Sequence, residues 1–157
     1  MTPLLQISPA QPSQASEISA LISDLASYMV ADSEAQGAQA FLALSSEDSI
    51  AALIVHPAFS YDVATFGDAI CGVLALKDAK HVYHLFVAEK FHRQGIARAL
   101  WAHARGKARA ANPGAVFTVN ASPYAAPIYE RLGFTVAGVP TTKNAIQFIP
   151  MVFQSKN

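Results

Sequence analysis

The stretch from Lys80 to Ala111 constrains the fold more than any other part of the chain. Lys80-His81-Val82-Tyr83-His84-Leu85-Phe86-Val87 is rich in β-branched and aromatic residues and predicts a strand, whereas Arg93 to Ala111 reads as a helix that stops at Asn112-Pro113-Gly114. Only a short turn separates the two, with Gly95 near its far end. The alternation continues downstream. Ala115 to Val119 predicts a strand, Ala125 to Leu132 a helix with Gly133 just past its end, and Phe134 to Val139 and Ala145 to Phe153 two closing strands.

Upstream the pattern is less dense. Leu4 to Ile7 is a short apolar run closed by Ser8-Pro9 and predicts a first strand. Ile18, Leu21, Ile22, Leu25 and Met29 fall at helical spacing and predict an amphipathic helix over residues 14–30. A second helical stretch covers residues 34–55. It begins with Phe41, Leu42 and Leu44, restarts at the cap Ser45-Ser46-Glu47-Asp48, continues through Ile50, Leu53 and Ile54, and ends at His56-Pro57. Phe59 to Phe66 and Ala69 to Leu76 predict an antiparallel hairpin around Gly67-Asp68, and the tight connection Lys77-Asp78-Ala79 extends it to a third strand. The expected class is α/β (α+β), a mixed central sheet of about seven strands with helices on both faces, forming one domain over residues 1–157.

With 52% hydrophobic and 14% charged residues, a chain of 157 residues buries a continuous core without covalent staples. No window approaches the roughly 18 apolar residues of a membrane span, and Met1-Thr2-Pro3-Leu4-Leu5-Gln6 lacks the basic start of a secretory signal, so a cytoplasmic protein is expected. Cys71, the only cysteine, sits among Ala69, Ile70, Gly72 and Val73 and reads as a small buried residue. The five histidines show no H-x-x-x-H spacing, and no metal is expected. His56 and His103 read as helix-end and solvent-face residues. A charged fraction well below the ~25% of average domains leaves apolar surface to cover and favours a homodimer.

The zero net charge hides a segregation. Residues 1–76 carry eight acids and no base, and residues 77–157 carry eleven bases and three acids, net +8. Zero net charge excludes a strongly cationic nucleic-acid binder, yet the second half is where an anionic ligand would sit. The turn before the long helix, His92-Arg93-Gln94-Gly95-Ile96-Ala97-Arg98, has the makings of an anion cradle: amides exposed at a helix start, a glycine that admits close approach, and two guanidinium groups. It matches neither GxxxxGK[ST] nor GxGxxG, which counts against a Walker-type NTPase and a Rossmann dinucleotide site. A glycine at a tight strand-to-helix turn is the purely structural alternative.

Here the sequence resembles the GNAT superfamily of acyl-CoA-dependent N-acyltransferases. His92 to Ala97 is similar to its Q/R-x-x-G-x-G/A pyrophosphate loop and follows a Leu85-Phe86-Val87 strand like the family's. Downstream, Asn120-Ala121-Ser122-Pro123-Tyr124-Ala125-Ala126-Pro127-Ile128-Tyr129-Glu130-Arg131-Leu132-Gly133-Phe134 resembles the element ending in Y-E-x-L-G-F. The likeness spans about residues 59–153 and is nearest to uncharacterised bacterial members sharing "VN-x-SPYA" and a terminal strand like Ile146 to Met151. It implies acetyl-CoA as co-substrate, bound by Leu85, Phe86, Val87, His92, Arg93, Gln94, Gly95, Ile96, Ala97, Arg98 and Asn120. Two positions depart from the pattern: His92 stands where Gln or Arg is usual, and Ser122 where Asn is frequent. His92 retains a donor for a phosphate.

The resemblance further implies acyl transfer from a thioester to the amine of a small molecule or peptide. A backbone amide of Phe86 or Val87 would stabilise the oxyanion, and Tyr129 would be the acid for the departing thiolate. An alkyl amine of pKa near ~10.4 must first lose a proton. His81 and His84, expected on opposite faces of one strand, compete with a water relay for that task. The acidic first half, with Asp24, Asp32, Glu34, Glu47 and Asp48, is expected to favour a cationic acceptor. A non-catalytic acyl-CoA-binding or regulatory protein on the same fold is the alternative, and Tyr129 favours the enzyme.

Overall fold

The computed structural model describes residues 4–25, 45–143 and 146–153. One mixed sheet organises it. Strands β1 (Leu5–Pro9), β2 (Phe59–Phe66), β3 (Ala69–Lys77) and β4 (His81–Val87) form an antiparallel run. Strand β5 (Thr118–Ala121) then pairs parallel to β4, and β8 (Ile146–Phe153) lies between β5 on one side and β6 (Phe134–Val136) and β7 (Thr141–Lys143) on the other. Among the described residues, helices α1 (Ala15–Asp24) and α2 (Glu47–Val55) cover one face, and α3 (Ile96–Ala111) and α4 (Ala126–Leu132) the other.

Each helix forms for a legible reason. Helix α1 buries Ala15, Ile18, Leu21 and Ile22 along one stripe, and in its first turn the Glu17 carboxylate accepts the Ile70 amide at 3.1 Å. Ser46 caps α2 by accepting the Ser49 amide, with Glu47 and Asp48 favourably placed in the first turn. Helix α3 buries Ile96, Leu100, Trp101, Ala104 and Ala108. Its Lys107 reaches Asp62 of β2 at 2.9 Å, pairing a carboxylate that is only 1% exposed. The predicted helix residues Met29, Phe41, Leu42 and Leu44 lie outside the described residues.

The two sheet faces make two cores. Leu74, Leu76, Leu100, Trp101, Phe117, Phe134 and Met151 pack beneath α3 and α4, and Ile18, Ile22, Ile50, Val63, Val73 and Phe86 beneath α1 and α2. Cys71 is fully buried in the first, its Sγ 3.3 Å from the Ala64 carbonyl, and burial pushes its thiol pKa up.

Four local expectations are corrected. The long helix starts at Ile96 rather than Arg93, because Arg93 (φ +66°) and Gly95 (φ +78°) are left-handed and break helical geometry. The strand expected over residues 134–139 ends at Val136. Ala137 donates to the Pro150 carbonyl at 2.8 Å, but Pro150 has no N–H to return, so the chain leaves β8 and rejoins it as β7, a strand absent from the sequence reading. The fifth strand spans Thr118–Ala121, three residues later than expected at its start. Lastly, His81 and His84 share a face: Ala75 pairs with His84 while the next residue, Leu76, pairs with Val82, so Tyr83 is the extra residue of a β-bulge that resets the alternation.

Gly133 closes α4 at φ +109°, where an added Cβ would stand 2.8 Å from Phe153 Cε1. Gly95 is also left-handed, but its Cβ would meet nothing within 4 Å. Gly133→Ala is therefore expected to cost about 2–3 kcal/mol in urea unfolding, against about 1 kcal/mol for Gly95→Ala. Equal losses would mean that the Phe153 ring yields without penalty.

Candidate functional site

The pairing of β4 with β5 is brief. It comprises His81 with Thr118 and Val82 with Val119, after which the strands part. His81 Nδ1 lies 2.8 Å from Thr118 Oγ1, tying the strands at the vertex. Beyond it, the β5-facing edge of β4 is open. Ala88 donates its amide to Cys71 of β3 at 2.8 Å, and amides alternate sides along an extended strand, so those of Val87 and Leu85 face the opening and that of Phe86 faces β3. Of the two amides named by resemblance, Val87 is thus the one turned to the site.

The opening leads into a cleft of about 480 Å³. Its walls are the end of β4 (Leu85, Phe86, Val87), the turn and first turn of α3 (His92, Arg93, Gly95, Ile96, Ala97, Arg98), and α4 with Tyr129. Ten of the fourteen residues singled out in the sequence converge here. Gln94 is exposed and donates to the Lys90 carbonyl at 3.4 Å, away from the cleft. Asn120 stands exposed on β5 opposite Pro150. His81 and His84 do not line the cleft.

The left-handed Arg93 and Gly95 swing the chain so that α3 begins with free amides at the cleft wall. His92 Nε2 donates to the Val87 carbonyl at 2.6 Å, bracing this turn against β4. That nitrogen is therefore occupied within the protein, unlike the phosphate donor expected for it. At the other wall, Ser122 Oγ accepts the Ala125 amide at 3.1 Å and sets the start of α4. Tyr129 is 6% exposed with its ring edge-on to Phe134, and burial raises its phenol pKa far above the ordinary value.

Arg93, Arg98 and Arg131 line the cleft, and no carboxylate does among the described residues. Asp24, Glu47 and Asp48 are exposed and off the cleft, while Asp32 and Glu34 lie outside the described residues. Sequence reading missed Leu25, Phe91, Tyr124 and the remaining α4 residues of the wall. The spacing of Ala125, Ile128, Tyr129 and Leu132 was the available signal, since these positions share one helical face.

His84 lies behind Phe86, ring centroids 5.4 Å apart, with Nδ1 3.0 Å from the Tyr61 hydroxyl. Both are buried, and burial lowers the His84 pKa to about 4 and raises that of Tyr61. His81 is also lowered, by burial and then by Lys77.

This cleft on this sheet has the arrangement of the GNAT fold. The model of the acetyltransferase (GNAT) domain matches residues 29–155, and the chain belongs to that family. No curated protein sequence matches it. The fold is similar to a GCN5-related N-acetyltransferase from Rhodopseudomonas palustris (TM-score 0.79, 21% identity, 99% of this chain and 97% of that one). It is similar too to the PaiA N-acetyltransferase from Thermoplasma acidophilum in complex with coenzyme A (TM-score 0.81, 13% identity, 97% and 99% covered). A chimera of the Vibrio cholerae spermidine N-acetyltransferase SpeG is a third neighbour (TM-score 0.68, 18% identity, 95% and 94% covered). At these identities the likeness speaks for the fold. No helix among the described residues is long and apolar enough to cross a membrane.

The buried His84 generates a pH prediction. Unfolded, it protonates below about 6.5; folded, it stays neutral down to about 4, so the unfolded state binds more protons in that window. Stability should be unaffected by this group above pH 7 and fall as pH drops from 6.5 toward 4. Urea unfolding is expected to show a loss of about 2 kcal/mol between pH 7 and pH 5 that His84→Gln reduces. An identical loss in the variant would assign the effect elsewhere.

Proposed function

We propose that this chain, one domain over residues 1–157, transfers an acetyl group from acetyl-CoA to a primary amine of a small molecule or peptide by direct attack. The observation that carries the reading is the convergence on one cleft of an unpaired β4 edge, a left-handed glycine turn at the start of α3, and a buried tyrosine on α4. The structure of the PaiA N-acetyltransferase in complex with coenzyme A supports it.

The pyrophosphate rests on the amides that open α3, with Arg93 and Arg98 supplying full charge beside them. The pantetheine arm runs between β4 and β5, where Leu85 and Val87 present amides that no strand satisfies and Asn120 stands across the gap. The thioester carbonyl meets the Val87 amide, and the charge that develops on its oxygen in the tetrahedral intermediate is held there. Tyr129 keeps its proton at neutral pH and passes it to the departing thiolate. Burial makes His84 a weak base, and His81 is engaged with Thr118, so the two histidines shape the opening while water removes the ammonium proton.

Acetyl-CoA incubated with a panel of amines should release free thiol. Binding of acetyl-CoA with no thiol release from any amine would favour the non-catalytic alternative. Tyr129→Phe is expected to lower kcat roughly tenfold to a thousandfold with little change in acetyl-CoA affinity, and full activity in that variant would place the acid elsewhere. Space is open around Gly95, so Gly95→Glu should fold and yet abolish acetyl-CoA binding in calorimetry, because its carboxylate would face the phosphates. Unchanged affinity would remove the phosphates from that turn.

A further inference from the structure

A second hollow of about 480 Å³ lies at the end of α4, lined by Gly133, Phe134 and Phe153 among others, and Arg131 and Leu132 line both it and the cleft. Arg105 and Arg131 are the cations of this hollow and Glu130 its one carboxylate among the described residues, so it carries a net positive charge. Lys107 has a buried carboxylate partner, but no described carboxylate comes within ion-pair distance of Arg105 or Arg131. Arg105 is held in place: its guanidinium stacks 5.1 Å from the Phe153 ring centroid and 6.0 Å from that of Trp101.

We propose that this hollow is a subsite for the ribose 3′-phosphate of the acyl-CoA donor, with Arg131 as its principal contact and Arg105 as the second; this rests on the acyltransferase reading. Three observations converge on it. Arg131 and Leu132 line both the cleft and the hollow, so this guanidinium is within reach of a ligand that extends from the Gly95 turn toward the end of α4. Arg98 lines the cleft, and Arg105 stands on the same face of α3 two turns on, about 10 Å along the axis, a span one nucleotide unit covers. A phosphate monoester carries a charge of roughly −1.5 to −2 at neutral pH, which two guanidinium groups without an ion-pair partner among the described residues match and an amine acceptor cannot.

Calorimetry with CoA and with 3′-dephospho-CoA tests the assignment, because the two ligands differ only in that phosphate. The native chain should bind CoA roughly tenfold more tightly. Arg131→Ala should lose most of this preference, weakening CoA far more than 3′-dephospho-CoA. Arg105→Gln should lose a smaller part, with the thermal midpoint recorded because the substitution also removes the stack on Phe153. Equal affinity of the native chain for both ligands would overturn the subsite alone, as would an Arg131→Ala variant that weakens both equally. Binding of neither ligand by the native chain would overturn the acyltransferase reading itself.

Discussion

The structure depends on a hydrogen-bond ladder that stops early. Strands β4 and β5 pair at His81 with Thr118 and at Val82 with Val119 and then diverge, in the middle of a sheet where continued pairing would be the default. Unpaired backbone groups inside a protein are costly unless something satisfies them. The divergence is stable because β4 stays paired antiparallel to β3 on both sides of the Tyr83 bulge, because the His81 to Thr118 hydrogen bond holds the vertex, and because Ser122 and Pro150 commit the flanking strands to other directions. The amides left open on β4 face the cleft.

The bulge at Tyr83 is a second consequence of the same place in the sheet. It turns His84 toward Tyr61 and the α1 and α2 layer and sets Leu85 and Val87 toward the opening. The left-handed Arg93 holds a non-glycine residue in a conformation worth about 1 kcal/mol of strain, and the His92 bond to the Val87 carbonyl offsets part of it. Strand edge, turn and helix start are thus mechanically one unit.

Charge follows the same geography. All Lys and Arg come after position 76, and three of them reach the cleft, so the half that supplies most of the cleft is positive while eight of the eleven acids lie in the segments before it. The Lys107 to Asp62 pair is where the two meet inside the structure: a helix of the basic half neutralises a carboxylate buried in the acidic one. Removing either partner would leave an uncompensated charge, so this bond couples the halves more than it stabilises either.

Element order was written in local pattern. Alternating β-branched runs, the stripe of Ile96, Leu100, Trp101, Ala104 and Ala108, and Gly133 at a helix end act through neighbours a few residues apart, and the same local stretch carried ten residues of the cleft. What a one-residue bulge does to every later side chain, where Pro150 interrupts a neighbouring strand, which amide faces an opening, and that Arg131 borders two hollows are decided by strands and helices far apart in the chain. By itself the sequence determined the elements, the glycine turn and the tyrosine, because these obey short-range sterics and hydrogen bonding. Only the tertiary structure decided which faces meet and which backbone groups stay open, because register and strand divergence are set by packing between segments that no local rule relates.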